Sequence, residues 1–159
     1  MLAAGTALTL IARADRDGRT WRVLRVAAVV GMTVTFVVYM IVLRPIVHLQ
    51  GIAKLTDIAF HYVAPPLTVI GWLLFGPWPR IDSASLLRHL AWPFGYLAYV
   101  VVLGAITGWY PYPFIDVAKL GYSRTLLNSL ALTVLLLVIG AIYRVLDTWR
   151  GGAKAQPLA

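Results

Sequence analysis

The chain has no cysteine and no glutamate, and only 13% of its 159 residues are charged. Without cysteine there is neither a disulfide scaffold nor a thiolate metal site, and the redox compartment stays open. Scarce charge excludes an ordinary soluble domain, in which about a quarter of residues are charged and about half are apolar. No inverted repeat is visible, which disfavours the common two-repeat transporter architecture. What is present is apolar: 60% of residues are hydrophobic, with six tryptophans among them.

The apolar residues cluster into charge-free runs at 26–43, 58–79, 90–115 and 125–143. A helix crossing a bilayer needs roughly 20 mostly apolar residues at about 1.5 Å each, and each run reaches that length once its flanking turns are added. The expected fold is therefore all-α, a polytopic transmembrane helix bundle. One domain over 1–150 contains four complete spans at 24–44, 57–76, 90–110 and 124–146, followed by a disordered cytoplasmic tail at 151–159. Residues 1–12 are apolar but span only about 18 Å as a helix, and no basic segment precedes them as in a signal peptide. They are expected to be a truncated transmembrane helix, with a short entry helix as the alternative.

Basic residues concentrate on the cytoplasmic side of membrane proteins. Arg13, Arg16, Arg19, Arg22, Arg25, Arg80, Arg88, Arg144, Arg150 and Lys154 fall on one side of the spans, against Arg44, Lys54, Lys119 and Arg124 on the other. Ten against four predicts a multi-pass protein of the cell inner membrane or plasma membrane, with a cytoplasmic C-terminus. Trp21, Trp78, Trp92, Trp109 and Trp149 sit near run ends, where indoles favour the interface. The net charge of +8 does not indicate nucleic acid, because the cations are spread over helix ends and no basic stripe with interleaved aromatics occurs. Membrane lipids are the expected partners; the oligomeric state is not legible.

Gly104 and Gly108 form a GxxxG pair, a candidate for a close helix crossing, although glycine is frequent in transmembrane helices generally. His48, His61 and His89 lack ligand spacing, so no metal and no cofactor is expected. Two segments carry more. In DIAFHYVAPPLTVIGW, Asp57 and His61 lie i,i+4, where a carboxylate can hold one imidazole nitrogen and raise the basicity of the ring. That pair is a candidate general base; equally, His61 supplies polarity near the head groups while Asp57 begins the helix. Pro65 and Pro66 each remove a backbone donor, so the helix bends or restarts there. In GWYPYPFIDVAKLGYSR, the residue before each proline is driven to extended geometry, which predicts a rigid turn after the third span. This loop is either an aromatic-belt turn or a cover over the mouth near His61, with Tyr110, Tyr112 and Asp116 as hydrogen-bonding, substrate-binding candidates.

His61, Pro65 and Trp72 in HYVAPPLTVIGWLLF, YPYPFID at 110–116 and GYSRTLLN at 121–128 resemble a bacterial family of six-helix membrane proteins, over most of the chain. That family is similar to the eukaryotic androgen-induced and androgen-dependent membrane proteins, some of which hydrolyse fatty acid esters of hydroxy fatty acids with an intramembrane threonine nucleophile and a histidine. The resemblance implies that His61 corresponds to the histidine. The threonine lies in an earlier helix, in an aromatic-Thr segment followed by Asn, and nothing before Arg13 has that context; neither Thr6 nor Thr9 replaces it. The N-terminal part of the family pattern is thus expected to be missing. The resulting expectation is an integral membrane protein of unassigned biochemical role, catalytically silent as given. One alternative is an intramembrane lipid-ester hydrolase with Asp57 and His61 catalytic and a lipid as substrate; another is a small transporter or channel.

Overall fold

A computed structural model describes residues 2–154, with side chains described as far as Gly152. All regular structure among the described residues is helical. Helix α1 spans Leu2–Ala12, α2 Arg19–Val38, α3 Gly51–Asp57, α4 Ala64–Phe75, α5 Ser83–Arg88, α6 Ala91–Thr107 and α7 Val117–Lys154. Two π-helical turns, Tyr39–Leu43 and Ile58–Val63, extend α2 and join α3 to α4. Among the described residues, four continuous stretches are long and apolar enough to cross a membrane: Arg19–Leu43, Gly51–Phe75, Ser83–Thr107 and Val117–Gly152. The short α1 precedes them, as expected.

Each long stretch begins five to seven residues before the span read from hydropathy, and at the third and fourth a side-chain cap sets the start. Asp82 accepts from the Ser85 amide at 2.6 Å and so caps α5. Asp116 accepts from the Lys119 amide at 3.2 Å and caps α7. At the other extremity α7 continues to Lys154, so Gly151–Lys154 are helical where a disordered tail was expected from 151; residues 155–159 lie outside the described residues. Pro65 and Pro66 occupy the first turn of α4. Instead of breaking the rod, the chain widens ahead of them: the Ala64 amide reaches back five residues to the Ala59 carbonyl. The same device precedes Pro45, where the Arg44 amide bonds the Tyr39 carbonyl at 2.8 Å. An i→i+5 turn shifts the hydrogen-bond register just where proline removes a donor.

Helix α2 is central and packs against α1, α4, α5 and α7. The core gathers Val26, Val29 and Val30 of α2 with Trp72 of α4, Ile81, and Leu136, Ile139 and Tyr143 of α7. Trp72 meets Trp78 and Tyr143 edge-on, at 6.3 and 4.9 Å between centroids. The Tyr143 hydroxyl lies 2.8 Å from the Thr33 hydroxyl, which itself donates to the Val29 carbonyl.

The core lies toward the end of the bundle that carries the 13–18 and 76–82 connections. There, ion pairs tie the two connections together. Asp17 contacts Arg22 and Arg80, each at 2.7 Å, and Arg22 reaches Asp82 at 3.4 Å. The Arg22 guanidinium holds Asp17 well below the usual carboxylate range, and the Ser85 amide lowers Asp82. Asp147 of α7, fully buried, accepts from the Arg80 and Ile81 amides at 2.7 and 2.8 Å. Arg150 donates to the Leu73 carbonyl in the last turn of α4 while its guanidinium lies 4.8 Å from the Trp78 ring centroid.

Helix α6 is bound less closely, with only Val100 and Gly104 buried. The Gly104–Gly108 pair does not serve as a notch for a neighbouring helix. A Cβ at Gly104 would fall 2.2 to 2.6 Å from ring atoms of Tyr110, so the following loop fills that notch, while Gly108 ends α6 in a left-handed turn at φ 72°.

Candidate functional site

The looser seat of α6 leaves a cleft of about 570 Å³ between it, α2 and α7, with the first turn of α1 contributing Leu2 and Ala3. The cleft follows α2 from Ala27 to Leu43, which at helical rise is about 24 Å. Its walls are mainly aliphatic and aromatic, from residues such as Met32, Val38, Leu90, Phe94, Leu97 and Leu136. No lysine or arginine is among the lining residues. Polarity enters through Thr35, Tyr96, Tyr112, Ser129 and Thr133, and through His61 at the end remote from the ion-pair network. The hydroxyls of Ser129 and Thr133 donate to the carbonyls of Thr125 and Ser129, each at 2.8 Å. With those protons committed, each oxygen has only acceptor capacity left for a ligand.

At that mouth, Asp57 and His61 do meet. Asp57 Oδ1 lies 2.9 Å from His61 Nδ1, with the carboxylate largely sheltered and the imidazole about a third exposed. The Asp57 carbonyl is also 3.2 Å from Nδ1. Two acceptors at one ring nitrogen mean that Nδ1 carries the proton; in the neutral ring, Nε2 then presents its lone pair.

Tyr39 completes the group and was not among the residues singled out from sequence. Its hydroxyl donates to Asp57 Oδ2, and its ring stacks on His61 with centroids 4.1 Å apart and planes 12° apart. Tyr62 meets Tyr39 edge-on at 5.4 Å. Both Asp57 oxygens are thereby occupied, and the imidazole is held by a carboxylate on one edge and a phenol on one face. The π-helical turns contain Tyr39 and His61 respectively, and such turns are frequent at functional sites because they redirect side chains that a regular helix would point elsewhere. One sequence signal would have found Tyr39. Residues 44–50 form a short reversal, so an aromatic hydroxyl five residues before Arg44 falls opposite Asp57 and His61 on the next helix.

The candidate binding residues of the YPYP loop separate. Tyr112 lines the cleft, stacked on Phe114 at 5.3 Å and edge-on to Tyr96 at 6.5 Å. Tyr110 turns away to fill the Gly104 notch. Asp116 is buried as the cap of α7 and pairs with Lys119 at 3.3 Å, away from the dyad. Asn128 anchors the loop by donating to the Phe114 carbonyl at 2.8 Å. Thr6 and Thr9 bond within α1, and Thr9 also accepts from Trp21 Nε1 at 3.0 Å; neither lines the cleft. No described hydroxyl hydrogen-bonds His61.

Compared with protein families, with curated proteins and with solved structures, the chain matches none.

Proposed function

We propose that this chain is an integral protein of the cell inner membrane or plasma membrane, with a cytoplasmic C-terminus, that holds one chain of an amphipathic lipid in the cleft with the lipid's polar end at His61. The observation that carries this reading is the polarity of the cleft: about 570 Å³ of mostly apolar wall ending at a single imidazole fixed by Asp57 and Tyr39. A length of about 24 Å along α2 suits an extended long acyl chain. Burial of the chain supplies attraction, and the imidazole supplies register, since a few placed polar groups in an apolar pocket orient a ligand.

Gly31 provides the test. It lines the cleft, and a Cβ placed on it meets nothing within 4 Å. Gly31→Leu fills the cleft from inside α2 and raises helix propensity there. Protein purified in mild detergent is expected to carry lipid detectable by native mass spectrometry, and the variant to lose it while still folding. Equal lipid occupancy in both proteins overturns the reading.

The 2.9 Å Asp57–His61 contact favours one second reading, ester hydrolysis with His61 as general base. By the resemblance described above, the nucleophile is a threonine that this chain does not carry in the family context. A reconstituted ester assay comparing the wild type with His61→Ala decides it, unchanged turnover removing His61 from the chemistry.

A further inference from the structure

The cleft reading leaves open what kind of head group sits at its mouth, and the hydrogen-bonding of the site restricts the answer. His61 Nδ1 is committed to Asp57 through both its carboxylate and its carbonyl, so the atom left to a ligand is Nε2, an acceptor in the neutral ring. An acceptor requires a donor.

Charge narrows the choice further. The protein has 14 lysines and arginines, yet among the described residues none lines the cleft. Asp57 stands directly behind the imidazole, and no Lys or Arg nitrogen comes within 4 Å of it among the described residues. With the ring neutral, a carboxylate or phosphate head would meet that anion without a counter-charge from any lysine or arginine lining the cleft. An ammonium head gains little in exchange, because Asp57 is sheltered behind His61 and Tyr39 and does not itself line the cleft. An uncharged hydroxyl satisfies Nε2 without either difficulty. Ser129 and Thr133, whose protons are spent on helix carbonyls, are again acceptors along the cleft.

Resting on the cleft reading, we infer that the site selects neutral lipid alcohols, such as a monoacylglycerol or a long-chain alcohol, with the lipid hydroxyl donating to His61 Nε2. Asp57 and Tyr39 act as positioning residues that fix the ring tautomer and the ring plane.

Competition binding on the full chain in nanodiscs of zwitterionic phospholipid tests this, with a photoactivatable long-chain alcohol as probe. The competitors share one chain and differ only in the head: the alcohol, its methyl ether, and the fatty acid at alkaline pH. The alcohol is expected to compete about tenfold better than the ether, the worth of one well-made hydrogen bond, and better still than the carboxylate. His61→Leu should erase the preference for alcohol over ether while chain binding persists, and Gly31→Leu should abolish labelling by every probe. If the ether or the carboxylate competes as well as the alcohol, and labelling is still lost in Gly31→Leu, the head-group assignment is wrong and the cleft reading survives. If Gly31→Leu labels like the wild type, the cleft reading itself fails.

Discussion

Replacing Asp147 tests whether the arginine-rich end of the bundle is organised by one carboxylate. Asp147 is wholly buried in α7 and accepts two backbone amides, from Arg80 at 2.7 Å and Ile81 at 2.8 Å. Asp147→Ala leaves both donors without an acceptor, one of them buried in the core. Hydrogen bonds to a charged acceptor are worth about 1.5–3 kcal/mol each, and an abandoned buried donor costs about 1–3 kcal/mol. Against that stands relief from burying a carboxylate whose other oxygen, Oδ1, has no hydrogen-bond partner. The net expectation is a loss of roughly 2–5 kcal/mol for Asp147→Ala. Asp147→Asn keeps a carbonyl oxygen for both amides but gives up the charge and puts an NH2 where Oδ1 has no partner, so its loss should be the smaller of the two, about 1–2 kcal/mol. Unfolding by increasing SDS in mixed micelles, followed by tryptophan fluorescence, reads both values, since Trp72 and Trp78 lie in or against the adjoining core. If Asp147→Ala unfolds within about 0.5 kcal/mol of the wild type, or if Asn is as damaging as Ala, the two amide contacts are not what holds this end.

Two further outcomes are expected. Gly104→Ala puts a methyl within 2.2 to 2.6 Å of the Tyr110 ring and should cost about 1–3 kcal/mol by overpacking; in the double variant with Tyr110→Ala that penalty should vanish, and additive losses in a double-mutant cycle would refute the notch. Asp17 and Asp82 both titrate below their ordinary value of 3.8 in the folded protein. Their contribution is therefore complete above that value and is lost as pH falls through it toward the folded values. Thermal unfolding in detergent should show stability dropping on that acid limb, and Asp17→Asn with Asp82→Asn should flatten the drop.

The helical fold was legible because four long charge-poor runs admit few alternatives. Helix starts were less so: Asp82 and Asp116 each set a boundary through a cap, several residues outside the hydropathy window. At the candidate site, Asp57 and His61 could be paired from local spacing alone, since i,i+4 needs no knowledge of neighbouring helices. Tyr39 could not be paired that way, because its partner lies 18 residues further on across a reversal. The YPYP loop illustrates the same limit. Extended geometry before each proline implies a stiff turn, but which tyrosine faces the cleft depended on Gly104, six residues before Tyr110, lacking a side chain and so receiving the ring of Tyr110. Tyr112 was left to line the cleft.

Arg150 also bears on the order of assembly. Its guanidinium caps a carbonyl 77 residues earlier in the chain, in the last turn of α4, and holds Trp78 beside it. During synthesis, α4 and the connection after it therefore exist for the time needed to make two further long helices before Arg150 reaches that carbonyl. Helix α7 closes this end of the bundle, through Asp147 as well as Arg150.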